Sequence, residues 1–153
     1  MKNLKKQPLF VAAFALIFVL VSCGGDDGNS PTETEKDIVL SALKGTWAIN
    51  SSSSSFGNTG LDGSGSSVTF TETGFSFTGP VTDYVSGGSY TVIEDGSFTD
   101  LEVVIVSEAI TLNGDPVLTM NNDKTQITIT FSTVEAEGRV SGLGDYLVVL
   151  DIQ

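Results

Sequence analysis

The sequence reads QITITFS over residues 126–132, and apolar and polar residues alternate along it. Successive side chains of a strand point to opposite faces, so Ile127, Ile129 and Phe131 share one face and the threonines share the other. One buried face and one solvated face are typical of an antiparallel sheet. The stretch therefore predicts an all-β domain.

The same alternation continues on both sides of this stretch. Val68 and Phe70 are followed by Thr73-Gly74 and then by Phe75 and Phe77, which predicts a tight hairpin with its apolar side chains on one face. Clusters of Gly, Asn and Asp separate the later segments. Further strands are predicted over 90–93, 98–106, 109–112, 117–120, 126–132, 134–140 and 146–152, with turns at Asp95-Gly96, Asn113-Gly114 and Asn121-Asn122-Asp123. About eight to ten strands joined by short turns favour an up-and-down meander, which can close to remove its edges.

One short helix is predicted before the strands. Thr34 and Asp37 have the spacing of a capping box, and apolar residues recur at helical spacing from Ile38 to Leu43. Gly45 is expected to end the helix.

The N-terminus has the pattern of an export signal. Lys2, Lys5 and Lys6 precede an apolar run over residues 9–21, which is the charge and hydropathy order of a secretory signal peptide. The run is shorter than the about 20 residues that a membrane span needs.

Leu20-Val21-Ser22-Cys23, at the end of this segment, resembles a lipobox, the signal of bacterial lipoproteins. The resemblance implies lipid attachment at Cys23 and three acyl chains on the mature N-terminus. Since one chain binds a membrane only marginally, three make a lasting anchor. Cys23 is also the one cysteine of the chain, so it has no intramolecular disulfide partner.

Residues 24–35, after the cysteine, are acidic and glycine-rich and hold no apolar residue that could seed a core, which predicts a flexible tether. Acidic residues close behind a lipidated cysteine look like the export signal of surface lipoproteins in Bacteroidetes, which implies the cell surface as the location. The alternative is a solvated linker that carries no export signal. The predicted organisation is thus a signal peptide over 1–22, a tether over 23–35 and a β domain over 36–153.

The charge of the mature chain limits its partners. Three of the seven basic residues fall in the signal segment, which leaves four against 19 acidic residues and a formal charge of −15. A field of that sign repels nucleic acid and offers no basic stripe for phosphates. We expect no nucleic acid partner, and a single monomeric domain attached to a membrane.

The segment Gly45-Thr46-Trp47, directly after the predicted helix, resembles the entry to lipocalin-like barrels, including small lipocalin-like lipoproteins of the same bacteria. The resemblance implies an eight-stranded antiparallel barrel in which the glycine lets the helix approach the strand and the tryptophan closes one end. An arginine often stacks on that tryptophan, and Arg139 is the one arginine of the chain, so a cation–π contact with Trp47 is predicted. An immunoglobulin-like or other β-sandwich is the alternative fold, although the chain lacks the Cys…Trp…Cys pattern of antibody domains.

Catalytic chemistry is sparse. The chain has no histidine, and the one cysteine is assigned to the lipid, so the Ser-His-Asp, Cys-His and zinc arrangements cannot be built. Carboxylate pairs and the Asn/Asp-rich turns offer oxygen ligands, but solvated turns use the same residues. We expect no catalytic residue, no metal and no cofactor.

Two functions remain, both non-catalytic. The first is binding of a small apolar ligand in an open barrel; the second is a structural or accessory role in the cell envelope, with a filled barrel and a protein partner. Residues 51–67 are expected to form one long loop, with Phe56 either over the barrel mouth or tucked against its rim. The predicted ligand-lining residues are Phe56, Phe70, Phe75, Phe77, Tyr90, Ile127 and Phe131.

Overall fold

The structure, a computed structural model, describes residues 32–106, 110–135 and 144–153, and residues Glu33–Gln153 form one compact unit. One helix, α1 (Glu35–Leu43), precedes nine strands. The strands are β1 (Gly45–Ile49), β2 (Ser55–Phe56), β3 (Ser67–Phe70), β4 (Gly74–Thr78), β5 (Val85–Val92), β6 (Phe98–Ile105), β7 (Ile110–Met120), β8 (Gln126–Glu135) and β9 (Gly144–Ile152). Among the described residues, no helix has the length and apolar character that crossing a bilayer requires.

Helix α1 begins at the predicted capping box. The Thr34 hydroxyl accepts a hydrogen bond from the backbone N–H of Asp37, and the Asp37 carboxylate accepts one from the backbone N–H of Thr34. The helix buries Val39 and Leu43 and ends at Leu43, two residues before Gly45. The capping signal therefore sets the start of the helix, and its apolar side covers one end of the sheet.

Eight of the strands form an antiparallel, nearly closed barrel with the predicted up-and-down order. The hydrogen-bonded order is β6-β5-β4-β3-β1-β9-β8-β7, in which the first strand pairs with the last over Trp47 to Ile49. The predicted barrel with a short N-terminal helix is thus confirmed. The turns after β3, β5 and β7 lie at the end of the barrel that α1 occupies, which we call the helix end.

The barrel is incomplete at one place, the seam, where β6 and β7 face each other. Both are terminal in the sheet order: β6 pairs with β5 alone and β7 with β8 alone. Their Cα atoms approach within 8 Å of each other, although no backbone ladder joins them among the described residues. The seam therefore leaves two unpaired strand edges side by side.

The predicted turn at Asn113-Gly114 is wrong, because the chain continues there as one strand, β7. The register along β8 moves from Asn113 opposite Ser132 to Val117 opposite Thr130, so three residues of β7 oppose one of β8. Gly114 takes φ +81° in this bulge. The Asn-Gly pair supplies a positive φ to a bulge instead of to a hairpin turn.

The predicted long loop over 51–67 is also interrupted. Ser55 and Phe56 form β2, which pairs with β9 opposite Leu147 and Tyr146 and so continues the edge that β1 occupies. Between β1 and β2 the ladder with β9 is interrupted, and there the backbone N–H of Val149 donates to the Ser54 hydroxyl at 2.9 Å. A serine side chain thus replaces a backbone partner, which a sequence pattern does not show.

Candidate functional site

The side chains predicted to line a ligand cavity lie in the packed core of the barrel. All seven are at most 5% exposed and belong to one apolar cluster: Phe56, Phe70, Phe75, Phe77, Tyr90, Ile127 and Phe131. They contact one another closely. The rings of Phe70 and Phe75 lie 5.7 Å apart, and Phe131 stacks on Tyr146 with 4.5 Å between centroids. These residues are therefore packed together in the core of the described part of the barrel.

Phe56 does not lie in the predicted long loop but in strand β2. Its ring packs edge-on against Tyr146 with centroids 6.3 Å apart, and the residue is 2% exposed. Pairing with β9 and burial make Phe56 part of the apolar core cluster.

Of the three residues predicted to close the barrel, the structure describes Gly45 and Trp47 but not Arg139. Trp47 is buried at the helix end, where its indole N–H donates to the Leu43 carbonyl at 3.0 Å. At Gly45 an added Cβ would meet no atom within 4 Å, and φ is +132°, so the position requires glycine for its backbone angle.

Arg139 lies outside the described residues, and its contact with Trp47 stays a prediction. The lipobox residues Leu20, Val21 and Ser22 and the lipid-bearing Cys23 also lie outside them.

A groove opens where the seam meets helix α1, and we call it the seam groove. Its volume is about 480 Å³, within the range of cavities that hold small ligands. Apolar side chains come from the helix and from both edges of the seam, and polar side chains come from the turns at the helix end. The lining includes Glu35, Val39, Asp95, Gly96, Phe98, Val117, Leu118, Met120, Asn121 and Lys124.

Two contacts hold the helix against the turns around this groove. The Lys124 ammonium lies 3.0 Å from the Glu35 carboxylate, which joins α1 to the turn after β7. Gly96, in the turn after β5, lies so close to the helix that an added Cβ would be 2.8 Å from Cγ of Glu35 and 3.1 Å from Cγ2 of Val39. Position 96 therefore needs glycine both for this approach and for its φ of +82°.

A second cavity of about 390 Å³ continues along the seam, and we call it the acidic slot. It shares Phe98, Val117 and Leu118 with the seam groove. Irregular backbone on both strands shapes it. Asp100 has φ +50° in a bulge of β6, and Pro116 belongs to the bulge of β7. Since Pro116 has no backbone N–H and both strands bulge, the two edges do not form a regular ladder with each other.

Charge in and around the seam is mostly negative. Asp100 and Asp115 line the slot from opposite strands, and Asp95 lines the groove. The pKa of Asp95 is lowered because its carboxylate accepts the backbone N–H of Ser97, so this group is ionised at neutral pH. Within the described ranges, no group of three or more His, Cys, Asp or Glu side chains has the arrangement of a metal site.

Burial raises the pKa of two core phenols, those of Tyr90 and Tyr146, to about 12 each. The Tyr90 hydroxyl donates to the Thr71 carbonyl. The Tyr146 hydroxyl is buried without a hydrogen-bond partner among the described residues. Neither tyrosine lines the seam groove or the slot.

The predicted site residues do not include those of the seam, although one signal for them exists in the sequence. Proline within a strand is confined to edge strands and bulges, so Pro116 marks 110–120 as an edge. The alternation around Val117 and Met120 by itself predicts a separate strand after a turn.

Fold and site together define a nearly closed antiparallel barrel with an apolar core and a lateral groove at an open seam. The chain matches no protein family model, and comparisons with curated proteins and with solved structures gave no match.

Proposed function

We propose that this protein is a lipoprotein of the outer membrane, displayed at the cell surface, whose barrel binds a small apolar ligand without catalysis. The lipid on Cys23 holds it to the membrane, and the acidic tether spaces the barrel from it. The observation that supports binding is the seam groove, which combines apolar side chains of the helix and both strand edges with polar side chains of the turns and has the volume of a small-ligand site. The site proposed is therefore the seam and not the barrel interior.

The anchor is tested by the mass of the mature N-terminal peptide and by Cys23→Ser. The full chain should begin at Cys23 with three acyl chains and sediment with the outer membrane, whereas the Cys23→Ser chain should not. Protease accessibility on intact cells then distinguishes the outward face from the inward one. An unmodified N-terminus beginning at any other residue would refute the lipoprotein assignment.

Ligand binding is tested on the protein isolated from its native membrane by mass measurement under native and denaturing conditions. We expect an additional mass that denaturation releases. Val117→Trp places an indole in the groove, since Val117 lines it and is 52% exposed, and should remove the additional mass. Val134→Trp is the matched control, because Val134 is 42% exposed on β8 and is absent from the groove lining. Equal retention in both variants would contradict a ligand in the seam groove.

A second candidate, the accessory envelope module with a filled barrel, is favoured by the packed interior. The aromatic side chains that were expected to surround a ligand instead contact each other. Native mass without any additional component, together with specific cross-links to one envelope protein, would favour this function over the first.

A further inference from the structure

The seam groove and the acidic slot form one continuous surface that carries negative charge. Because they share Phe98, Val117 and Leu118, a ligand bound on the apolar floor of one reaches the carboxylates of the other. Asp100 and Asp115 line the slot from the two sides of the seam. The slot thus places two exposed carboxylates next to the apolar side chains that it shares with the groove.

These carboxylates have no cationic partner among the described residues. The ion pairs there use Lys36, Lys44 and Lys124, which contact Glu94, Glu72 and Glu35. Lys124 is the basic residue of the groove lining, and it already lies 3.0 Å from Glu35. Asp100 accepts a hydrogen bond from the Thr99 hydroxyl at 3.3 Å, which does not neutralise its charge.

The apolar part of the surface favours a ligand with an extended hydrocarbon or aromatic body. Leu101 and Leu118 line the slot beside Phe98, whose ring packs edge-on against Tyr90 at 5.8 Å. Aromatic rings attract organic cations as well as apolar groups. A hydrated metal ion would use the carboxylates and gain nothing from this floor, whereas an organic cation uses both.

We propose that the ligand of the seam is an amphiphilic cation, an amine or quaternary ammonium group on an apolar body. Its body lies along Phe98, Leu101 and Leu118, and its charge lies between Asp100 and Asp115. This inference rests on the proposed function, since it specifies the class of ligand that the same seam binds.

The test compares three probes with the same six-carbon chain: hexyltrimethylammonium, 1-hexanol and hexanesulfonate. Each is titrated into the full chain with methyl groups labelled, and binding is followed by NMR at Leu101, Leu118 and Met120, which line the seam. The methyl groups of Val134 and Leu147 serve as reporters away from it. We expect hexyltrimethylammonium to bind about tenfold more tightly than hexanesulfonate, with shifts at the seam methyl groups only.

Asp100→Asn with Asp115→Asn removes both charges and keeps the size of the side chains. Asparagine tolerates the positive φ of position 100 as aspartate does. We expect the affinity for hexyltrimethylammonium to fall about tenfold and the affinity for 1-hexanol to stay unchanged. Asp62→Asn with Asp83→Asn makes the same change in net charge away from the seam lining, and should alter the affinity for the cation by less than about twofold.

The outcomes separate the two claims. Equal affinity for all three probes, or an equal loss in both double variants, would overturn the cationic ligand and leave binding of a small apolar ligand in place. Absence of seam shifts with every probe would overturn both the inference and the seam as the ligand site.

Discussion

The indole N–H of Trp47 donates a hydrogen bond of 3.0 Å to the carbonyl of Leu43, the last residue of helix α1. The last carbonyls of a helix have no partner inside it, and this one is buried under the barrel. Trp47 thus supplies a hydrogen-bond donor to the C-terminus of α1. Its ring also packs edge-on against Phe70, with centroids 6.5 Å apart. One side chain joins the helix, the first strand and the aromatic core.

Trp47→Phe should lower the free energy of unfolding by about 1–3 kcal/mol, because it leaves the Leu43 carbonyl buried without a donor. Denaturant unfolding measures the change. Lys44→Ala is the control at the same junction: its ion pair with Glu72 is exposed, so the loss should stay within about 1 kcal/mol. A loss no larger for Trp47→Phe than for Lys44→Ala would contradict the role of the indole N–H.

Two buried tyrosines should respond in opposite ways to loss of the hydroxyl. Tyr146→Phe removes a buried oxygen that has no partner among the described residues, and should leave stability unchanged or raise it by about 1 kcal/mol. Tyr90→Phe removes the donor to the Thr71 carbonyl and should cost about 1 kcal/mol. Denaturant unfolding of the two variants compares them directly. A substantial loss for Tyr146→Phe would reveal a hydrogen-bond partner of its hydroxyl.

Stability should fall as the pH rises from about 10 to about 12. Burial raises the pKa of Tyr90 and Tyr146 to about 12 in the fold, so between these pH values the folded chain binds more protons than the unfolded chain, whose tyrosines titrate near 10. Each tyrosine therefore contributes its full stabilisation below pH 10 and loses it as the pH rises through the pKa of the folded state. The loss is about 2 kcal/mol for each tyrosine. Denaturant unfolding at pH 9 and at pH 12 measures the loss. The Tyr146→Phe chain should lose about half as much, and an equal loss in both chains would contradict the assignment.

The open seam predicts unequal hydrogen exchange along the barrel. Strand β9 pairs with β8 on one edge and with β1 and β2 on the other, whereas β7 pairs on one edge. Amides of β7 that point toward β6 should therefore exchange at least about tenfold faster than those of the middle of β9. Mass or NMR measurement of deuterium uptake resolves the two strands. Uniform protection of β7 would mean that backbone hydrogen bonds close the seam.

The sequence predicted the parts of this fold that depend on local patterns. The alternation over 126–132 places Ile127, Ile129 and Phe131 in the core because side-chain period and strand geometry coincide. The capping box sets the start of α1 for a similar reason, since all its hydrogen bonds lie within four residues.

The seam and its groove depend on pairs of residues distant in sequence, and no local pattern encodes them. Asn113-Gly114 is compatible with a turn and with a bulge, and the pairing with Ser132 and Thr130 decides between them. In the same way, the aromatic residues of β3, β4, β5 and β8 that were predicted to line a cavity are buried in the core. Whether inward side chains surround a void or fill it depends on how all eight strands approach each other.

Gly96→Ala tests how the groove is built. Alanine at this position strains a φ of +82° and places a Cβ 2.8 Å from Cγ of Glu35, so the Glu35 side chain or the turn must shift. Gly114→Ala carries nearly the same strain, with φ +81°, but its Cβ would meet no atom within 4 Å. Both variants should lose about 1–2 kcal/mol of stability for the backbone angle. The Gly96→Ala chain should in addition lose the Lys124–Glu35 ion pair and shift the methyl signals of Val39 and Met120, which line the groove. Identical methyl spectra of the two variants around the groove would contradict the close approach of helix and turn, and would remove the reason given for glycine at position 96.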